Sequence, residues 1–295
     1  KMGIFTSTQA LKEANLEVPD AIITGTGLGC LEDSEKFLKA ILDNNEQFLT
    51  PTSFIQSTHN TVAGQIALGL QCKGYNFTYV NGAVSFETAL LDAKLQIESD
   101  EANSVLVGGI DETAQHNIDV QRIAGKIKKQ EDVPFSVLNP TSKGMILSEG
   151  ASFFVLENQQ KESSYATLEA ISILNSLEVD EVQGYVKTFL SDNKINPNDI
   201  DLVVLGNNGD VEFDVYFNQV SDLFNTTSQA YYKHLSGEFY TASGFGLWMA
   251  SNILKLQTIP ADVKMNSVEK GNYQTVLLYN QYRGKDHSLT LIKKC

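Results

Sequence analysis

The sequence predicts an α/β protein made of two halves that repeat one order of strands and helices. Three observations carry this expectation. Short apolar runs of strand length alternate with stretches of helical period, the order restarts near Asp201, and in each half a strand feeds a long apolar helix through a small-residue elbow. The clearer elbow lies in residues 76–97. Phe77 to Val80 reads as the strand and Asn81-Gly82-Ala83 as the turn, while Val84 to Ile97 sets Phe86, Leu90, Ala93 and Ile97 on one helical face. Free backbone N–H groups at the head of such a helix favour an anion or a developing oxyanion. Many folds put a nucleophile at that point. Here the residue is Ala83, which can do no covalent chemistry.

The other elements follow in order. Residues 3–15 read as a helix on Ile4, Leu11 and Ala14, and residues 20–24 as a buried strand ending in Gly25-Thr26-Gly27-Leu28-Gly29. A dinucleotide loop would need a third glycine where Cys30 stands, so these glycines read as close-packed backbone. A helix over 33–43, a loop over 50–53 and a helix over 61–70 precede the elbow. After it come a strand over 104–109, a polar irregular region to about Lys143 and a strand over 151–156 introduced by Ser148-Glu149-Gly150. A strand over 167–174, a helix over 179–190 and a turn-rich link over 193–199 lead to the restart. There, the strand 201–206 and helix 211–224 mirror the strand 20–25 and helix 33–43. Tyr240 to Gly244 leading into Leu247 to Leu256 mirrors the elbow, and the runs 275–279 and 288–292 answer the strands at Val105 and Phe153. The expected halves are residues 1–160 and 161–295, related by a pseudo-two-fold axis with the elbow helices side by side.

Composition narrows the function. The 295 residues are 42% hydrophobic, enough for a large core, and contain no apolar run near the roughly 18–20 residues of a membrane span. A formal charge of −14, from 22 basic and 36 acidic residues, argues against nucleic acid and anionic membranes as partners. The one basic cluster, Arg122, Lys126, Lys128 and Lys129, reads as a solvated helix face or as a dock for an acidic partner. Three cysteines without paired spacing suit a reducing cytoplasm and supply no metal site. The chain opens on Lys1 with no secretion signal, and is expected to begin inside a longer natural chain.

Taken together, Gly25 to Gly29, Asn60 to Ala67, Leu68 to Gly74, the elbow Thr78 to Ala83, Val107-Gly108-Gly109, Ser148 to Ala151 and Lys233 to Gly244 resemble a β-ketoacyl-acyl carrier protein synthase of the thiolase superfamily. The resemblance spans nearly the whole chain, although family members carry a longer amino-terminal part with a first strand. It implies a five-layer αβαβα fold with two duplicated halves, mixed sheets and a buried helix pair. It implies no cofactor and no metal. In the family a cysteine thiolate at the elbow takes the acyl chain, two histidines and a lysine assist decarboxylation of a malonyl thioester, and backbone N–H groups hold the enolate oxygen.

Carried over position by position, the cysteine falls on Ala83, the first histidine on Asn208 before Gly209, the lysine on Lys233 and the second histidine on Glu238 after Gly237. The glycine-rich oxyanion loop falls on the stretch after Asn280, residues 281–286, with one glycine. Asn208 can donate a hydrogen bond but cannot shuttle a proton at neutral pH. Glu238 would repel a malonyl carboxylate unless Lys233 pairs with it, leaving a buried ion pair in an inactive pocket. Ser85 in the first helical turn reads as a cap or packing residue, Cys30 as structural, and His59, His116, His234 and His287 match neither catalytic histidine.

Three functions remain open at this point. The first is a non-catalytic chain-length-factor-type subunit of fatty acid or polyketide synthesis that forms a dimer with an active synthase, meeting it through the strand at Phe77 to Val80 and the Asn60-Thr61 helix. The dimer could also be of two identical chains, and acyl carrier protein would dock through the partner. The second is an active condensing enzyme using Ser85, or Lys233 with Asn208 alone. The third is a binding protein for a fatty acyl or polyene chain.

Overall fold

The structure, a computed structural model, describes residues 1–132 and 135–295. It divides into two compact units: Lys1–Lys126 with Leu147–Gln159 and Phe239–Thr241, and Ile127–Ile146 with Gln160–Glu238 and Ala242–Cys295.

The first unit runs α1 (Met2–Ala14), β1 (Ala21–Gly25), α2 (Leu31–Asp43), α3 (Pro51–Ser57), α4 (Thr61–Leu70), β2 (Tyr75–Tyr79), α5 (Ser85–Glu98), β3 (Ser104–Asp111), α6 (Gln115–Ile123) and β4 (Gly150–Glu157). Its sheet has the order β2-β1-β3-β4, with β1 parallel to β2 and β3 and with β4 antiparallel to β3. Successive strand side chains point to opposite faces. Ile22, Leu106 and Phe153 accordingly pack with Leu11 of α1 and with Ala63 and Ile66 of α4. Phe154, one residue along β4, instead meets Phe86 of α5 with ring centroids 5.8 Å apart. The central strands are buried on both faces, which is why they read as continuous apolar runs.

The second unit runs β5 (Ala166–Ser176), α7 (Val182–Asp192), β6 (Leu202–Leu205), α8 (Asp214–Leu223), β7 (Ser228–Tyr231), a single helical turn α9 (Lys233–Ser236), α10 (Ser243–Leu256), β8 (Thr275–Tyr282) and β9 (Lys285–Lys294). Its sheet order is β5-β9-β8-β6-β7. Removing β5 leaves β9-β8-β6-β7, the first unit's order with β6, β7, β8 and β9 in the places of β1, β2, β3 and β4, and with the same parallel and antiparallel pairings. Val203, Leu205, Leu277 and Leu291 pack with Val186 and Phe217 from α7 and α8. The helix α10 is buried along most of its length.

The duplication reaches single atoms. Asp20, just before β1, accepts hydrogen bonds from the backbone N–H groups of Asn103 and Ser104 at 2.9 and 3.0 Å, and its own N–H donates to Ser104 O. Asp201, just before β6, accepts from Gln274 and Thr275 N–H at 2.8 and 3.0 Å, and its N–H donates to Thr275 O. In both units an aspartate thus ties off the start of the third strand, which fixes register where a one-residue slip would turn every core side chain outward.

Several elements differ from the sequence reading. The expected loop at 50–53 is the start of α3, with Pro51 at its first position, where a missing N–H costs nothing. The region expected to be irregular contains α6, and residues 133 and 134 of that region lie outside the described residues. The helix expected from Val211 begins at Asp214. The basic cluster is a solvated face only in part: Arg122, beside Asp119 at 2.7 Å, and Lys129 stay exposed, while Lys128 is buried and donates to the carbonyl and hydroxyl of Ser142.

Candidate functional site

The first-unit elbow is built on β2, whose last residue, Tyr79, lies opposite Gly25 of β1. A tight turn over Gly82–Val84 joins it to α5, with Gly82 at φ 53°. The turn sits directly on β1, because a Cβ on Gly25 would lie 2.3 Å from the carbonyl oxygen of Ser85. Ala83 is buried at the tip, so the elbow presents a methyl group at the position to which the sequence resemblance assigns the nucleophile. The Ser85 hydroxyl accepts from Asn81 N–H at 2.8 Å and donates to Gly82 O at 2.7 Å, and the residue is fully buried. Both of its bonds close the turn, so it acts as a clamp.

The second unit gathers the other positions. Lys233 at the start of α9 donates to Glu238 Oε2 at 2.7 Å and to Asn280 Oδ1 at 3.0 Å, and Asn208 Nδ2 donates to the same Glu238 oxygen at 2.6 Å. All four residues are buried. Asn280 reaches the lysine from the end of β8 because Gly206 leaves it room; a Cβ there would lie 2.3 Å from Asn280 Oδ1. The structure brings Asn208, Lys233 and Glu238 into one network and adds Asn280. The ammonium is spent on an internal carboxylate and an amide.

Beneath the network, Asp214 at the head of α8 accepts from Asn208 and Gly209 N–H at 3.3 and 3.0 Å. Burial pushes its carboxyl up from 3.8 to about 6, against the pull of those N–H groups and of Lys233. A raised value means that the folded chain holds the proton more tightly than the unfolded one. Asp214's contribution is full below about pH 4 and is lost as pH rises through about 6, a span of roughly 3 kcal/mol. Asp214→Asn should flatten the fall in melting temperature between those pH values, as measured by calorimetry in a pH series. An unchanged slope would contradict the assignment.

The expected oxyanion loop is a tight hairpin. Tyr282 of β8 pairs with Lys285 of β9, and Arg283 and Gly284 between them have φ 53° and 73°, the paired positive values of a two-residue turn. Cys30 is no hidden nucleophile: burial, then the carboxylates of Glu112 and Asp33, push its thiol to about 11, leaving almost no thiolate at neutral pH. It lines a small cavity with Thr24, Thr26, His59, Val62 and Glu112. His234 stacks on Tyr231, and His287 is buried against the Tyr279 hydroxyl. Sequence reasoning missed Asp111, whose buried carboxylate accepts from Thr26 Oγ1 and Gly27 N–H through one oxygen and from Thr241 N–H and Oγ1 through the other. Its position two residues after Gly108-Gly109, at the end of a buried strand, was the available signal.

The model of the beta-ketoacyl synthase N-terminal domain matches residues 1–162, more than half of the chain. The chain belongs to the β-ketoacyl synthase family. Among curated β-ketoacyl synthases, the 3-oxoacyl-[acyl-carrier-protein] synthase 2 of Staphylococcus aureus strain N315 is 21% identical over 165 residues, which cover 53% of this chain and 40% of the relative. The match therefore spans about two fifths of that relative's length. Among solved structures, a β-ketoacyl synthase from Burkholderia phymatum STM815 superposes with a TM-score of 0.80 at 15% identity, over 99% of this chain and 81% of that one. The ishigamide ketosynthase/chain length factor gives 0.79 at 16% identity over 100% and 81%. The ketosynthase ApeO in complex with its chain length factor ApeC, from Xenorhabdus doucetiae, gives 0.73 at 14% identity over 98% and 77%. These likenesses show the thiolase-like α/β fold.

Proposed function

We propose that this β-ketoacyl synthase family member is a non-catalytic subunit of the chain-length-factor type, paired with an active synthase in the making of a fatty acyl or polyketide chain. The observation that carries the reading is the elbow: a methyl group at Ala83, with the neighbouring hydroxyl of Ser85 committed to closing the turn. The network at Lys233 supports it, since the cation that would meet a substrate carboxylate is neutralised by Glu238. Asn208 replaces a proton-transferring imidazole with an amide. Two of the structural neighbours are a ketosynthase with a chain length factor, and a third is a ketosynthase bound to its acyl carrier protein.

The first unit also offers an edge for the partner. β2 is the outermost strand of its sheet, and Tyr75, Phe77 and Tyr79 form an aromatic row along one face, with the first two rings stacked 6.0 Å apart and the last two 4.8 Å apart. Tyr75 and Phe77 remain more than 40% exposed. A strand edge of this kind is a template for pairing with another chain. Carrier protein then docks through the synthase, away from this acidic subunit.

Reconstitution tests the reading. The chain mixed with a cysteine-bearing β-ketoacyl synthase should form a stoichiometric complex by light scattering, and that mixture should elongate acyl-carrier thioesters to a defined length. Elongation by the chain alone would overturn the proposal.

A further inference from the structure

The β8–β9 hairpin is tied down at its tip by side chains of the second unit. Gln281, itself buried, donates to Phe213 O at 3.1 Å and accepts from Gly284 N–H at 2.8 Å. Arg283 pairs with Asp210 at 3.2 Å and lies over the Phe213 ring at 4.5 Å. Tyr216, three residues along α8, sits against Gly284, where an added Cβ would lie 2.8 Å from its hydroxyl. Arg283 and Asp286 both have positive φ, 53° and 51°, a conformation that residues other than glycine keep only where their surroundings enforce it. The strand ladder also shifts register between Asn280 and Tyr282, which places a hinge beside the residue that holds Lys233.

His287 lies within this fastening. Its ring is fully buried, with Nδ1 2.9 Å from the Tyr279 hydroxyl and the Tyr216 ring centroid 5.3 Å away. Its Nε2 has no hydrogen-bond partner among the described residues. The groups that face it are mostly neutral. Tyr279 comes from β8 and Tyr216 from α8, and burial pushes both phenols up; Tyr185 of α7, close to Tyr279, donates to the Ser172 hydroxyl of β5, and Leu174 of β5 lies opposite His287. The carboxylates nearby are Asp286 on the hairpin and Glu178 beside Tyr216, while Arg283 is matched by Asp210. A neutral imidazole fits this cage, because the Tyr279 hydroxyl serves Nδ1. An imidazolium carries N–H on both nitrogens and loses its hydration where one hydroxyl is on offer. Burial accordingly holds His287 below its ordinary 6.5, outweighing the opposite pull of the Gly284 backbone and the Asp286 carboxylate.

We propose that His287 is an acid-sensitive latch, whose protonation drives the tip of the β8–β9 hairpin off α8 and loosens the hold of Asn280 on Lys233. A depressed value means that the open hairpin binds the proton more tightly than the closed one. The closed state is therefore favoured in full above about pH 6.5 and loses ground as pH falls from there through the lowered value, with opening growing about tenfold per pH unit inside that window. The device lies wholly in the second unit and is independent of Ala83.

The test is amide exchange on the full chain, followed by mass spectrometry from about pH 7 to about pH 5 and corrected for the intrinsic pH dependence of exchange. Peptides covering residues 279–287 should lose protection across that range while those of β6 keep theirs. His287→Gln, checked for folding by circular dichroism, can still meet the Tyr279 hydroxyl but takes up no proton, and its protection should stay flat. Asp214→Asn and Asp286→Asn should keep the pH dependence of the parent. Constant protection of the parent hairpin, the same loss in His287→Gln, loss spread equally over β6, or disappearance of the dependence in either aspartate variant overturns the proposal. Histidine NMR of the parent gives a second reading that needs no variant: the His287 ring should take up its proton in step with opening, and a ring that stays neutral while the hairpin opens overturns the assignment.

Discussion

Replacing Lys233 or Glu238 singly with alanine is expected to destabilise the protein by about 3–5 kcal/mol, and replacing the pair with methionine and leucine to restore most of that loss. At an effective dielectric of about 20, charges 2.7 Å apart attract by roughly 6 kcal/mol. Burying each ion costs several kcal/mol in lost hydration, so the intact pair comes out near neutral. Removing one member leaves the other buried without its direct countercharge, hydrogen-bonded to an amide: Asn208 for the carboxylate, Asn280 for the ammonium. Denaturant unfolding of the four proteins of the cycle measures the coupling directly. Additive effects would mean that the two side chains do not form the pair seen here, and would release Lys233 for other work.

The second large effect is expected at β2. Phe77→Lys places a charge in the middle of the aromatic row on the exposed edge, flanked by Tyr75 and Tyr79. Truncating or charging an aromatic anchor at an interface costs about 2–4 kcal/mol, so affinity for the partner synthase should fall about 30- to 700-fold. The chain itself should keep its stability to within about 1 kcal/mol, because the replaced ring is 44% exposed. Titration calorimetry against the cysteine-bearing synthase measures the first quantity and thermal melting the second. Unchanged affinity would move the interface elsewhere.

How much of this was legible in the sequence depended on how local the cause was. β1, β3, β6 and β8 were visible because a strand buried on both faces must be a continuous apolar run, and the elbow because a small-residue turn joins an aromatic strand to a helix with one apolar face. β7, reading Ser-Gln-Ala-Tyr, carries no such run; its buried polar atoms are satisfied by distant groups, such as the Ser228 hydroxyl donating to Val268 O. α6 was hidden by its polar composition, while α3 could have been found from Pro51 alone. At the site, Lys233 and Glu238 lie five residues apart, a separation local enough for opposite charges to be matched from the sequence. The Asn280 contact spans 47 residues and depends on where β8 ends, and the Asp111 contact with Thr241 spans 130. Hydrogen bonds set by strand order have no local signature. The shift of Asp214 to about 6 likewise follows from burial beneath the Asn208 turn, which composition does not reveal.

The methyl group of Ala83 leaves the elbow nothing to acylate, and intact-protein mass spectrometry after incubation with an acyl-carrier thioester reads that property. The purified chain should keep its mass unchanged while a cysteine-bearing β-ketoacyl synthase treated in parallel gains the acyl group. An acyl adduct mapped to any residue of the elbow, from Asn81 to Ser85, would contradict it.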